Sequence, residues 1–127
     1  MQFIDINEVE NSDSIMQVED LKNYIAIKEL DLETWEDENP DDENIQSMKE
    51  EIEEMKELID EFKENAVHSL IYIDYFEEYL KEELKDIYDI PDFLESYILW
   101  DSYAQNSQID YVSTFINGEE YLSRAGY

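Results

Sequence analysis

The chain has 127 residues, of which 36 are acidic and 8 basic, and its formal net charge is −28. A charge of this size repels DNA, RNA and anionic membranes and attracts basic surfaces, among which nucleic-acid-binding clefts are the commonest large ones. The 43% hydrophobic content, with only two glycines and two prolines, predicts a folded protein rather than a disordered chain.

Helices are predicted for most of the first half of the chain. Residues 2–9 carry only a weak signal, which fits either a short strand or the lead into a helix. Residues 17–36 favour a helix with a ragged apolar face. Pro40 disfavours helical geometry in the residue before it, so a break is predicted over residues 37–42.

The helix predicted over residues 41–65 has three chemically distinct sides, and Asp41 or Asp42 fits its N-terminal cap. A heptad repeat places an apolar stripe at positions a and d, made of Ile45, Met48, Ile52, Met55, Ile59, Phe62 and Ala66. Position e holds Lys49, Lys56 and Lys63. Positions b, c and f hold Glu50, Glu53, Glu54, Glu57, Asp60, Glu61 and Glu64, with only Gln46 and Ser47 neutral.

Like charges on the outer side of this helix indicate a function beyond stability. Each pair of carboxylates four residues apart, such as Glu50/Glu54 or Glu57/Glu61, costs roughly 0.2–0.5 kcal/mol. A negatively charged binding surface would explain this pattern, and a plain solubility role is the alternative. The apolar stripe itself fits a helical hairpin or a coiled-coil dimer equally well.

Another helical stretch is predicted over residues 66–88, where apolar residues are spaced by three and four. It is either continuous with the preceding helix or separated from it at Asn65. Pro91 suits the first position of a further helix, which is predicted over residues 93–103. The side chains expected to face inward from that helix are Leu94, Tyr97, Ile98 and Tyr103.

A β-hairpin is predicted at the end of the chain, with Asn117-Gly118 as a type I′ turn between residues 111–116 and 119–123. Because a lone hairpin is marginally stable, it must pack on a helix or pair with the N-terminal segment. The predicted fold is therefore α+β and mostly α-helical, with long acidic helices and a C-terminal β-hairpin packed on a helix. Residues 1–65 form an acidic helical region and residues 66–127 a C-terminal α+β region, unless the two make one continuous domain.

The sequence offers little catalytic chemistry. There is no cysteine, which excludes disulfides, thiolate zinc sites and a cysteine nucleophile. The single histidine, His68, lies on a predicted helix beside Val67 and Leu70, which favours a structural or surface role. We expect no enzyme activity, cofactor or dedicated metal site. The chain start lacks a signal peptide pattern and no apolar stretch approaches about 20 residues, so a cytoplasmic protein that binds no membrane is expected.

Residues 90–104, followed by Ile109-Asp110, resemble the end of the ArdA antirestriction proteins. In that family a Pro, a Leu and a Tyr-Ile pair precede an aromatic residue, and an acidic-apolar step leads into a final strand pair. The matching residues are Pro91, Leu94, Tyr97, Ile98, Trp100, Tyr103, Ile109 and Asp110. A basic residue usual in the family is replaced here by Gln105-Asn106.

The resemblance implies an elongated acidic mimic of bent duplex DNA. Such a protein occupies the DNA cleft of type I restriction–modification enzymes in a bacterial cell, often dimerises through its C-terminal domain, and is encoded by a phage or mobile element. The residue pattern agrees with mimicry, since 28 charges match roughly 48 Å of duplex at about one charge per 1.7 Å.

The predicted function is therefore inhibition of a basic DNA-binding defence enzyme, without direct contact to nucleic acid. The predicted phosphate surrogates are Glu50, Glu53, Glu54, Glu57, Asp60, Glu61 and Glu64, extended by Asp37, Glu38, Asp41, Asp42 and Glu43. A CRISPR nuclease is an alternative target for the same mimicry. An immunity protein or antitoxin that caps one basic toxin is the other alternative, with affinity concentrated in Trp35, Trp100 or a tyrosine.

Overall fold

The computed structural model describes residues 3–125, and the predicted class, a mostly helical α+β fold, is confirmed there. Within these residues the α-helices are α1 (Val18–Glu38), α2 (Ile45–Glu64), α3 (Phe76–Tyr88), α4 (Asp92–Glu95) and α5 (Trp100–Ser107). The strands are β1 (Ile15–Gln17), β2 (Ser69–Tyr72), β3 (Val112–Ile116) and β4 (Glu119–Ser123).

The four strands form one antiparallel sheet in the order β1-β2-β4-β3. The predicted C-terminal hairpin is confirmed as β3 and β4. Asn117 and Gly118 both have positive φ values, 54° and 82°, as a type I′ turn requires. The hairpin is completed into a sheet by β2, which pairs Ile71 with Leu122, and β2 in turn pairs with β1.

The helix predicted over residues 66–88 is wrong for its first ten residues. The chain turns at Ala66, which has a φ of 56°, and then forms β2 and a 3₁₀ turn over Ile73–Tyr75 before α3 begins. Leu70 and Ile71 are both fully buried, on opposite faces of the sheet. A strand that is buried on both faces lacks alternation, so its apolar run cannot be distinguished from a helix by period alone.

The same correction places His68 outside any helix. It lies exposed just before β2, and its carbonyl accepts a hydrogen bond from the Val18 N–H at 2.9 Å. The start of α1 is thereby fixed to the start of β2.

The helix predicted over residues 93–103 is also wrong as a continuous element, because α4 ends at Glu95 and α5 begins at Trp100. Leu94 and Tyr97, expected to face inward, are 40% and 79% exposed. The other two side chains expected to face inward, Ile98 and Tyr103, are half-buried. Trp100 is buried instead, and its indole N–H donates to the Glu95 carbonyl at 3.2 Å across the gap between the helices.

The sheet separates two apolar clusters, because neighbouring residues of a strand point to opposite faces. Leu70 and Tyr121 pack on the α1–α2 face. Ile71 and Leu122 pack on the other face against α3. The α1–α2 face also buries side chains from the N-terminal segment, Ile4, Ile6 and Val9. This larger cluster draws on both predicted regions, residues 1–65 and 66–127.

Two tyrosines on the α1–α2 face bind distant parts of the chain. The Tyr72 hydroxyl donates to Glu119 Oε2 at 2.8 Å, and the Tyr121 hydroxyl donates to the Ser12 carbonyl at 2.8 Å. The hydrogen bond to the Glu119 carboxylate raises the pKa of Tyr72 to about 12, and burial raises the pKa of Tyr121 to about 12. The folded protein therefore holds both protons more tightly than the unfolded chain.

Alkaline unfolding follows from these two pKa values. An unfolded tyrosine loses its proton near pH 10, so this contribution to stability is complete below about pH 10 and is lost between about pH 10 and pH 12. We expect the melting temperature, measured by circular dichroism, to fall across that window. Tyr72→Phe should flatten the fall, whereas Tyr97→Phe, at an exposed site, should leave it unchanged. Equal curves for the wild type and Tyr72→Phe would contradict the assignment.

Candidate partner-binding surface

The outer side of α2 is exposed because three neighbours cover the rest of the helix. Six positions of the predicted apolar stripe are buried: Ile45, Met48, Ile52, Met55, Ile59 and Phe62. They pack against α1, the N-terminal segment and the sheet in one cluster. The seventh, Ala66, lies beyond the end of α2 and is exposed. The stripe is therefore the core of a helical hairpin, one of its two predicted explanations.

The lysine flank of α2 faces α1. Lys49 Nζ lies 3.0 Å from Glu36 Oε1, and Lys56 Nζ lies 2.6 Å from Glu29 Oε1. The hydrogen bond with Glu29 raises the pKa of Lys56. Exposed pairs of this kind contribute little to stability. They do align α1 with α2. Because these two lysines of α2 pair with acids of α1, they do not neutralise the carboxylates on the outer side of α2.

The opposite flank of α2 holds the N-terminal segment through Glu51. Both carboxylate oxygens of Glu51 lie 3.0 Å from the Phe3 N–H, and Oε1 also accepts from the Ile4 N–H at 3.3 Å. Asp5 N–H donates to the Tyr24 hydroxyl at 2.9 Å, which fixes the same segment to α1. The segment, predicted as a strand or a helix lead, forms a 3₁₀ turn over Ile6–Glu8.

Replacing Glu51 by glutamine should loosen the N-terminal segment. A hydrogen bond to a charged acceptor is worth about 1.5–3 kcal/mol, and the amide keeps only one neutral acceptor, so we expect a loss of about 1–2 kcal/mol in the free energy of unfolding. Urea denaturation measures it, and hydrogen exchange at the Ile4 and Ile6 amides should accelerate. Glu50→Gln, one residue away on the outer side, is the matched control. Equal losses in the two variants would contradict the anchoring role.

The seven outer carboxylates of α2 are all exposed and are called the acidic row: Glu50, Glu53, Glu54, Glu57, Asp60, Glu61 and Glu64. At 1.5 Å per helical residue they span about 21 Å, or about one charge per 3.5 Å. One strand of B-DNA carries one phosphate per about 3.4 Å of axis. The acidic row therefore reproduces the linear charge density of a single DNA strand on a rigid element.

The proposed extension of the acidic row lies at the turn between α1 and α2, called the hairpin tip (residues 35–44). Asp37 and Glu38 belong to the end of α1, and they are exposed, as are Asp41 and Glu43 in the turn. Asp42 differs, because both of its carboxylate oxygens accept hydrogen bonds within the tip. The structure thus leaves four of these five carboxylates free to face a partner.

Asp42 is a structural acid. Its Oδ2 accepts from the Trp35 indole N–H at 2.7 Å, and its Oδ1 accepts from the Asn44 N–H at 2.8 Å. These donors lower the pKa of Asp42. The N-terminal cap predicted at Asp41 or Asp42 is wrong, since α2 begins after Asn44, which makes no side-chain cap.

An exposed apolar surface was missed by the sequence prediction. Six large side chains within residues 87–99, here called the apolar segment, are between 40% and 79% exposed: Ile87, Tyr88, Phe93, Leu94, Tyr97 and Leu99. Large apolar side chains that are exposed along one stretch of chain mark a candidate interaction surface. This feature can be recognised only once the burial of each side chain is known.

Chemical sites are sparse in the part of the chain that the structure describes. No three His, Asp or Glu side chains among residues 3–125 are arranged to hold a metal ion. A cavity of about 490 Å³ is an open groove between the end of α2 and strands β3 and β4. No helix in that range is both long and apolar enough to cross a membrane.

Comparisons with known proteins add no relative. The chain matches no protein-family model, no curated protein and no solved structure. The acidic row, the hairpin tip and the apolar segment are therefore the features of the structure that bear on function.

Proposed function

We propose that the protein is a DNA mimic that occupies the DNA-binding cleft of a bacterial defence enzyme, with a type I restriction–modification enzyme as the favoured target. The supporting observation is the acidic row. Its spacing of about 3.5 Å per charge equals that of one DNA strand within the accuracy of helix geometry. The buried stripe and both flanks of α2 hold this row rigidly toward solvent.

Rigid presentation matters because a basic cleft is built to bind charges at fixed spacing. Flexible acidic chains lose backbone entropy when they bind, whereas the backbone of a packed helix has already lost it on folding. The lysine flank of α2 faces α1, so a basic partner meets carboxylates rather than lysines on the outer side. The resemblance of residues 90–110 to ArdA proteins points to the same mechanism and to the same class of target.

The proposed assembly is a dimer joined through the apolar segment. The apolar segment supplies six exposed large apolar side chains on each chain, and a standard interface buries roughly 800 Å² per partner. A two-fold axis through that surface would place an α1–α2 hairpin on each side. Two acidic rows would then offer a longer charged surface than one chain can provide.

The decisive experiment is a competition assay. Labelled duplex DNA is bound to a type I restriction methyltransferase and titrated with the protein at fixed moderate salt. Displacement at near-stoichiometric concentration is the expected result. If the folded protein displaces no DNA, the type I target is wrong, and the same assay with a CRISPR nuclease then tests the alternative target.

A toxin-capping immunity protein is the second candidate, favoured by the exposed Trp35 at the hairpin tip. Trp100, the other tryptophan considered for this role, is buried and unsuited to a contact. An interface of that kind concentrates its affinity in a few aromatic residues. A single Trp35→Ala change would then weaken binding more than neutralising several carboxylates of the acidic row, whereas mimicry predicts the reverse order.

A further inference from the structure

Trp35 lies at the end of the α1–α2 hairpin that is remote from the sheet. α1 starts directly after β1 and runs for 21 residues, or about 31 Å, so the hairpin tip stands roughly that far from the strands. Trp35 is 42% exposed at this end, although it follows the buried Leu32 by one turn. A large aromatic ring is thus partly exposed at an end of the hairpin that is otherwise acidic.

The indole is held in place before any partner arrives. Its N–H donates to Asp42 Oδ2 at 2.7 Å. The Trp35 carbonyl accepts from the Asn39 backbone N–H at 2.7 Å and from the Asn39 side-chain amide at 3.3 Å. Because its donor is already used, the exposed part of the ring offers a partner only its π face and edge.

The surroundings of this ring attract cations and offer acceptors. Residues 29–48 contain no lysine or arginine, and the flanking Lys49 is paired with Glu36. Exposed carboxylates follow Trp35 on both sides of the turn, at Glu38 and Asp41 among others. An exposed indole that is followed along the turn by exposed carboxylates is complementary to a group that is both flat and cationic, since such a group stacks on the ring and donates to oxygen.

We propose that the hairpin tip binds an arginine guanidinium of the target's basic cleft, which stacks on Trp35 and donates to neighbouring tip carboxylates. This inference rests on the proposed function, because a basic cleft is what brings arginine to the tip. Arginine is preferred over lysine for two reasons. The guanidinium is planar and weakly hydrated, so it stacks on an aromatic face, and its fork of N–H groups matches a carboxylate.

Model peptides test the proposal without the target. Hexaarginine and hexalysine carry equal charge, so their affinities for the intact protein are compared by fluorescence anisotropy at fixed salt. We expect Trp35 to contribute a roughly two- to five-fold preference for hexaarginine. Trp35→Leu should lower the arginine-to-lysine affinity ratio by that factor while leaving hexalysine binding unchanged. Leu30→Ala, which removes another exposed apolar side chain of α1, should leave the ratio as it is in the wild type.

The two tryptophans give an independent readout of the place of binding. In a ¹H–¹⁵N spectrum, the Trp35 indole N–H should shift on addition of hexaarginine, while the N–H of the buried Trp100 should stay in place. An unchanged affinity ratio in Trp35→Leu, or equal shifts at both indoles, would overturn the proposal. If the peptide experiments fail, the acidic row can still displace DNA in the competition assay. If the competition assay fails, the peptide result still stands, so failure of the arginine proposal is distinguishable from failure of the DNA-mimic proposal.

Discussion

Replacing four carboxylates of the acidic row by glutamine should weaken displacement of DNA from the target enzyme by about tenfold to hundredfold, because electrostatic steering into a charged cleft is worth about 10–10³ in association rate. The four positions avoid the lysine flank and are Glu54, Glu57, Glu61 and Glu64. The loss should appear mainly in the association rate and should shrink as salt is added. The competition assay at two salt concentrations measures both effects.

The same variant should be more stable than the wild type. Glutamine and glutamate have nearly equal helix propensity, and the changes remove several like-charge pairs that each cost roughly 0.2–0.5 kcal/mol. A rise of a few degrees in melting temperature is therefore expected. If the variant inhibits less but is more stable, the four carboxylates serve binding rather than the stability of the fold.

A control of equal charge change distinguishes the acidic row from net charge. It neutralises four exposed carboxylates elsewhere on the chain, at Glu10, Asp13, Glu19 and Glu78. If this variant loses as much inhibition as the first, total charge is what matters and the assignment of the acidic row is wrong. If neither loses inhibition, the target contacts another surface.

The acidic row could be predicted because α2 obeys a single period. Its apolar positions repeat without interruption, so the burial of Ile45 through Phe62 and the exposure of the carboxylates follow from helix geometry. The hairpin turn at Asn117-Gly118 was equally predictable, since few residue pairs adopt two successive positive φ values. Local chemistry dictates both features.

Other features depend on partners that are distant in sequence. Glu51 belongs to the same helix as the acidic row, but it binds backbone N–H groups 47 and 48 residues away. β2 is sandwiched between two apolar clusters, and β1 is only three residues long, so neither shows alternation. Asp42 resembles its acidic neighbours until the Trp35 indole is placed beside it. No periodicity argument could recover these contacts.

The apolar segment shows a further limit of sequence patterns. Its spacing of apolar residues predicts inward side chains, Tyr97 among them. A surface that is buried only in an assembly has the composition of a core, so sequence alone cannot separate the two. Because Tyr97 is exposed in the single chain, a substitution there tests whether two chains associate through the apolar segment.

Two charges placed in the apolar segment should split the proposed dimer. Phe93 and Tyr97 are 71% and 79% exposed, so Phe93→Glu together with Tyr97→Glu should leave the fold of one chain intact. Each change would bury an unpaired carboxylate in the interface, and the dissociation constant should rise by at least about a hundredfold. Sedimentation equilibrium measures that constant, and circular dichroism checks the fold. Ile27→Glu together with Thr34→Glu, two exposed changes on α1 that add the same charge, is the matched control.

Salt should act in opposite directions on the two proposed interfaces. Two chains of net charge −28 repel each other, and salt screens this repulsion without weakening apolar burial, so the dimer should tighten as salt rises. Binding of the acidic row to a basic cleft should weaken over the same range. The double variant should inhibit as a monomer with at least about tenfold lower potency, because the linked second site is lost. A wild-type chain that stays monomeric at high salt, or a dimer that dissociates there, would contradict association through the apolar segment.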